Sequence, residues 1–382
     1  MGGPGFGASE AAGASPQAST RSETSPRGEA SPVTVAVDAN GADLGPAEVA
    51  AGAAIAARAG VRTLLFGPAA AFGEIDAPDG LVEIVDAPVS IAKVRDPVAA
   101  ARSTKDASIV LAARAVAEGR ADALVSGGST GAALAAGLLN VKRAHGIYRP
   151  ALAIPLPVPG RPVTLLDVGA NAEVRPEHLV QFAFMGAALA TTILGVQRPR
   201  VALLSNGEES IKGTPLIQDA HALLIERAAT SPLVDFIGNT EGTTVLDGDA
   251  DVVVADGFTG NVALKLIEGV SRTTLDQIRR AALSSPRAKA GGLLLRPALQ
   301  KLRAELDPES AGGAYLLGLR KLGVVPHGRF TRAGFSQAIL LAARGVRNDV
   351  VGRTHGALED AGALKGPVPL ASGDTATVPG TP

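Results

Sequence analysis

The sequence predicts an α/β fold, a mostly parallel sheet covered by helices on both faces in three layers. Apolar, β-branched runs recur along the chain with helical stretches between them, the alternation of a parallel sheet. The runs are continuously apolar instead of alternating with polar residues, so both faces of the sheet must be covered. Three runs also pass straight into glycine-rich turns that open helices: ADALVSGGSTGAAL (121–134), VTLLDVGANAEV (163–174) and DVVVADGFTGNVALK (251–265).

Taken in order, strands are expected at 33–37, 61–66, 81–85, 121–125, 151–156, 163–166, 200–204, 234–237 and 251–255. Helices are expected at 46–59, opened by Pro46 and closed by Gly60, and at 106–118, 129–142, 176–194, 214–228, 260–283 and 333–344. The stretch Leu179 to Val196 carries no charge over a length close to a bilayer's. It also holds Gln181, two threonines and two glycines, and it follows a helix start with Pro176 in the first turn. A central helix buried against the sheet is the expectation. Residues 1–31 and 361–382, rich in Gly, Ala, Pro, Ser or Thr, read as a disordered extension and tail. No linker divides 32–360, which is read as one large domain.

Composition removes several kinds of chemistry. The 382 residues carry a net charge of −1, so no global basic field points to nucleic acid. There is no cysteine, which excludes disulfides, thiolate metal sites and a cysteine nucleophile, and permits a cytoplasmic address. The five histidines (His145, His178, His221, His327, His355) show no metal-ligand spacing, so metal chemistry by histidine clusters is not expected. No cofactor is expected either, since the turns and lysines below suit phosphate and a polarised carbonyl better than a hydride carrier.

The glycine-rich turns instead suit an anion. In Ser126-Gly127-Gly128-Ser129-Thr130-Gly131, glycines let the backbone approach a ligand, a helix N-terminus presents N–H groups, and hydroxyls add donors. No Lys-Ser/Thr follows, and G-x-G-x-x-G occurs nowhere, so this is neither a nucleotide P-loop nor a dinucleotide fingerprint. The second turn sets Asp167 and Asn171 at a strand end. The third sets Asp256, Gly257, Thr259, Gly260 and Asn261 there, with Lys265 one helical turn past Asn261 on the same face. SNGEESIKG (205–213) adds Lys212 after another strand. A tight turn with no ligand is the plain alternative for any one of these.

Together DVGANAEVRPEHLVQFAFMGAALA, DVVVADGFTGNVALKLIEG, SGGSTGAALAAGL with RPALAIPLP, and FIGNTEG resemble the bacterial phosphate acyltransferase family of phospholipid synthesis. The resemblance runs in order over about 33–350. It implies a Rossmann-like fold related to the phosphotransacetylases and isocitrate dehydrogenase. It also implies conversion of acyl–acyl carrier protein and inorganic phosphate to acyl phosphate, for use by an acyl-phosphate:glycerol-3-phosphate acyltransferase. The resemblance further implies a homodimer in peripheral contact with the membrane. On that basis the Ser126–Gly131 and Gly257–Asn261 turns would grip phosphate, Lys265 and Lys212 would offset charge, and Asn171 would orient the reactants. Asp38, Asp167 and Asp256 would position these groups. The family's Asp-Ala-Met-Gly-Gly-Asp-His here reads Asp38-Ala39-Asn40-Gly41-Ala42-Asp43-Leu44. Ser129 replaces an amide, and Pro326-His327-Gly328-Arg329-Phe330 lacks a lysine and two serines.

In 285–306, Leu295, Leu299, Leu302 and Leu306 fall on one helical stripe, with Leu294 beside it and Arg287, Lys289, Arg296, Lys301 and Arg303 around it. Such an element can meet an anionic membrane or the acidic carrier protein, or pack on the core or a second subunit. Pro297 is expected to break it into two short helices. Three other functions fit the same residues less fully. One is a phosphotransacetylase-like enzyme using acyl-CoA, another a weakened scaffold for carrier protein or membrane, and the third a nicotinamide dehydrogenase.

Overall fold

The computed structural model describes residues 1–2, 32–156, 158 and 162–365. The extension expected at 1–31 lies outside the described residues but for its first two, as does the tail beyond 365. Ala361 to Lys365, assigned above to that tail, are placed: Ala361 is buried and Leu364 packs on the core.

Strand β1 (Thr34–Asp38) leads through α1 (Pro46–Arg58) to β2 (Arg62–Gly67) and β3 (Val82–Asp86). Helices α2 (Pro97–Ser103) and α3 (Ser108–Ala117) precede β4 (Ala123–Ser126), and α4 (Thr130–Ala136) follows it, prolonged by a wider turn over Gly137–Val141. Next come β5 (Ala151–Leu156), β6 (Val163–Leu166), α5 (Pro176–Leu189, prolonged over Ala190–Leu194) and β7 (Arg200–Ser205). They are followed by α6 (Pro215–Ala229), β8 (Asp235–Glu241) and β9 (Val252–Val254). The chain then runs through α7 (Gly257–Leu283), α8 (Pro286–Glu305), α9 (Pro308–Ala311), β10 (Ala314–Leu317), β11 (Leu322–Val325), α10 (Arg332–Arg347) and α11 (Val350–Asp360).

The strands form one sheet in the order β3-β2-β1-β4-β11-β10-β5-β6-β9-β7-β8. Both faces are covered. Val35 and Val37 enter one apolar cluster and Ala36 the other; Leu203 enters the first, Ala202 and Leu204 the second. The pairings β11–β10, β10–β5 and β5–β6 are antiparallel, and the rest are parallel. Three reversals are an odd number. Strands β6, β9, β7 and β8 therefore run against β1, β2, β3, β4 and β11, and their C-terminal ends open at the opposite edge of the sheet.

The uncharged helix α5 is a core helix, with every residue from His178 to Leu189 buried. A Cβ on Gly186 would meet Val252 at 2.6 Å and Leu166 at 2.8 Å, so the helix lies directly on β6 and β9. Strands β10 and β11 were not expected. Each has four residues, and Gly323 sits inside the second. A glycine there reads as a turn until the neighbouring strand is known: a Cβ on it would sit 3.1 Å from Leu316 Cβ.

Candidate active site

Strand β6 is followed directly by Asp167, which is fully buried, and a cis Leu166–Asp167 peptide leads into it. Its Oδ1 accepts from the backbone N–H groups of Leu152 (3.0 Å), Gly169 (3.1 Å) and Ala170 (3.0 Å). Its Oδ2 accepts from the N–H and from the Nδ2 of Asn171, each at 2.8 Å. Burial raises the pKa of this carboxyl, and the ring of donors opposes the rise. The remaining amide hydrogen of Asn171 goes to Pro150 O at 2.7 Å. The orienting role expected of Asn171 is therefore corrected. Its amide hydrogens hold the turn and are not available to a substrate.

Helix α7 starts on this turn. The Gly257 N–H donates to Asn171 O at 2.8 Å, and a Cβ on Gly260 would come within 2.0 Å of Asp167 O. Only glycine permits that approach. Asp256 caps the helix by accepting from Thr259 N–H (2.9 Å) and Thr259 Oγ1 (2.7 Å). The second and third turns are thus one structure. Since the N–H groups of Gly257, Thr259 and Gly260 already have protein partners, this turn does not offer the bare backbone cradle expected of it. What it offers is the side chains just beyond, Asn261 half-buried beside Gly169 and Lys265 exposed.

The loop after β7 opens at the same edge, because β7 pairs in parallel with β9. It is braced from behind. His221 Nδ1 bonds Asn239 Oδ1 at 3.0 Å, and Asn239 Nδ2 donates to Glu209 O at 2.9 Å. In front, Gln218 Nε2 donates to Ile211 O (2.7 Å), and Gly213 N–H to Asn206 Oδ1 (2.9 Å). Between these braces Lys212 and Ile211 project into solvent, Ile211 being 77% exposed. Among the described residues neither Lys212 nor Lys265 forms a salt bridge. The brace through Asn239 was missed by sequence reading, although FIGNTEG had marked the segment.

The first turn lies elsewhere. Ser126 to Gly131 follow β4, which runs against β6 and is separated from it by three strands. Their neighbours are the ends of β1 and β11. A Cβ on Gly128 would lie 3.4 Å from Asn40 O, and one on Gly328 3.3 Å from Gly127 O. The expectation that Ser126, Gly127, Gly128, Ser129, Thr130 and Gly131 grip one phosphate together with Gly257–Asn261 is therefore corrected. The three antiparallel pairings put the two turns at opposite edges. The Ser129 side chain caps α4 through Ala132 N–H at 3.1 Å.

At this edge Asp38 is buried, accepting from Ser108 Oγ (2.7 Å), Ser126 Oγ (2.8 Å) and Asn40 N–H (3.2 Å). Burial outweighs these bonds and pushes its pKa up to about 6. A carboxyl whose folded pKa exceeds its unfolded value adds stability below the unfolded value, and loses it as pH rises through the folded one. The gap from 3.8 to about 6 is worth about 3 kcal/mol. Urea unfolding of the wild type and Asp38→Asn at pH 4 and 7 should therefore show the wild type losing about 2–3 kcal/mol relative to the variant as pH rises.

Helices α7 and α8 form an outlying arm. Pro297 does not break α8, which runs unbroken from Pro286 to Glu305. The ring lacks only the N–H that would bond Leu293, and on an exposed helix the freed carbonyl faces solvent. Leu293, Leu294 and Leu295 are 67%, 83% and 59% exposed. Arg287, Lys289, Arg296, Lys301 and Arg303 surround them, with Lys301 paired to Glu305 at 3.8 Å. Phe258, Val262, Leu266 and Val270, spaced four apart on α7, are exposed as well.

A family model described as fatty acid synthesis protein matches residues 33–353. The chain belongs to that family. A phosphate acyltransferase of Lacticaseibacillus casei is 43% identical over 321 residues, covering 83% of this chain and 93% of the relative. One of Thermobifida fusca is 44% identical over 323 residues, 84% of this chain and 88% of the relative. In fold the chain is similar to the EutD phosphotransacetylase of Staphylococcus aureus, with a TM-score of 0.54 at 17% identity over 82% of this chain and 94% of that one. A phosphotransacetylase of Streptococcus pyogenes gives 0.55 at 16%, over 82% and 94%.

Proposed function

We propose that the chain is an enzyme that transfers an acyl group from acyl carrier protein to inorganic phosphate, making acyl phosphate for phospholipid synthesis. The carrying observation is a pair of lysines, Lys212 and Lys265, without a salt bridge among the described residues and presented at one sheet edge in a chain of the phosphate acyltransferase family. Phosphate oxygen attacks the thioester carbonyl, the carbon–sulfur bond breaks, and the carrier leaves as its thiol after taking up a proton. No nucleophile from the protein is needed, in keeping with a chain that has no cysteine. Lys212 and Lys265 offset the charge of phosphate and of the developing oxyanion, and the Asn261 amide helps to orient them. Holding both reactants accounts for much of the rate, since proximity can be worth about 7–11 kcal/mol.

Incubation with palmitoyl–carrier protein, with and without phosphate, tests this. Free carrier protein and acyl phosphate should appear by mass only when phosphate is present. Equal turnover with palmitoyl-CoA in place of the carrier would move the reading to an acyl-CoA enzyme.

We further infer that the α8 tip touches anionic membrane while the protein works as a homodimer in the cytoplasm. Exposed leucines ringed by cations suit lipid headgroups and the acyl boundary beneath them. In flotation with anionic vesicles, Leu294→Glu with Leu295→Glu should reduce bound protein about tenfold or more. Unchanged flotation would remove the tip from the membrane.

A further inference from the structure

Beside the Asp167 turn lies an open cavity of about 750 Å³ lined by Arg143, Tyr148, Arg149, Arg175, His178 and Lys365, with Asn171 at its back. A smaller adjoining cavity adds Lys142. Among the described residues none of these five cations pairs with a carboxylate, and Glu173 is the one acid at the rim. Their field is felt inside: burial first, then the charges of Arg175 and Arg149, hold the His178 imidazole below its usual range.

The walls are built for this shape. Gln181, the polar residue inside the apolar α5, is fully buried. It accepts from Tyr148 N–H at 2.8 Å and donates to Gly146 O (2.9 Å) and Ala363 O (2.8 Å). Lys365 N–H in turn donates to Gly146 O at 2.7 Å. One buried amide therefore fixes the 146–148 loop and the 363–365 segment that carry cavity cations. Arg175 lies over the Tyr148 ring, 5.8 Å from its centroid. Leu134, Leu138, Ala170 and Val174 supply an apolar side. The space is larger than an inorganic anion needs and suits a ligand with an extended arm.

We propose that this cavity binds the phosphate group of an extended phosphorylated arm, of which the 4′-phosphopantetheine of the acyl carrier is the class that fits. This rests on the acyl-transfer reading, and it seats the carrier's arm beside the turn from which α7 departs. The arginines supply planar donor forks to the phosphate, and the apolar side faces the arm.

Calorimetric titration with 4′-phosphopantetheine tests it. In Arg149→Gln with Lys365→Gln, both exposed positions, binding should weaken about 10- to 100-fold with the melting temperature unchanged. Inorganic phosphate that displaces the arm in the wild type, with the same loss in the double variant, would identify the phosphate group as the part recognised. Pantetheine without its phosphate binding equally well, or a double variant that binds normally, would overturn the proposal. The two readings fail separately. Wild-type protein that makes acyl phosphate while the double variant binds normally loses only the cavity, whereas binding that depends on these two cations without acyl phosphate loses only the reaction.

Discussion

Lys265→Ala should lower kcat for acyl phosphate formation about 100- to 1,000-fold while leaving the melting temperature within a degree or two, and Lys212→Ala should do the same. The size follows from what is removed. A charged donor facing an oxyanion, once bound substrate covers it from water, is worth about 3–4 kcal/mol in the transition state. The fold should not register the change, because both side chains are exposed and unpaired among the described residues. On α7, Lys265 stands eight residues past Gly257, about 12 Å along the axis. Helical side chains lean back toward the N-terminus, so its ammonium can reach the level of Asn261. If both lysines serve one developing charge, the double variant should lose less than the product of the single losses. Single-turnover rates with palmitoyl–carrier protein and saturating phosphate provide the measurement, and a full rate in either variant would refute its assignment.

Asp167→Ala should unfold the protein at a urea midpoint corresponding to a loss of about 3–5 kcal/mol, with activity lost alongside. Five donors converge on that carboxylate, and those of Leu152 and Asn171 are buried while those of Gly169 and Ala170 are only partly so. Removing it strands the three buried donors away from a replacement acceptor. Asp167→Asn should cost nearly as much, because its amide would turn N–H groups toward other N–H groups. Asp256→Ala offers the contrast. That carboxylate is only partly buried and caps a single helix, so a loss of about 1 kcal/mol is expected. Equilibrium unfolding of the three variants in parallel checks the ranking.

Much of this site was legible in the residues, and for a local reason. A strand that ends on aspartate and passes into Gly-Phe-Thr-Gly-Asn carries its own helix cap, and Asp256 with Thr259 forms that cap. Asn171 was misread because its value depends on Pro150, which the chain brings alongside from twenty-one residues away. The brace from His221 through Asn239 to Glu209 O was missed for the same reason, since its members belong to three separate elements. Pro297 shows the reverse error. Its local rule against helix was sound, but an exposed helix can leave one carbonyl to solvent.

Residue order alone settled the layered α/β architecture, the burial of α5 and the chemistry excluded by the absence of cysteine, because each follows from patterns within a few residues. Which strand ends share an edge was decided only in three dimensions. That depends on β10 pairing with β5 and β11 with β4, contacts spanning more than a hundred residues. Hydrogen bonding across such separations reverses half the sheet. It sends the Ser126 turn to one edge and the Asp167 and Asp256 turns to the other, and no local propensity records that choice.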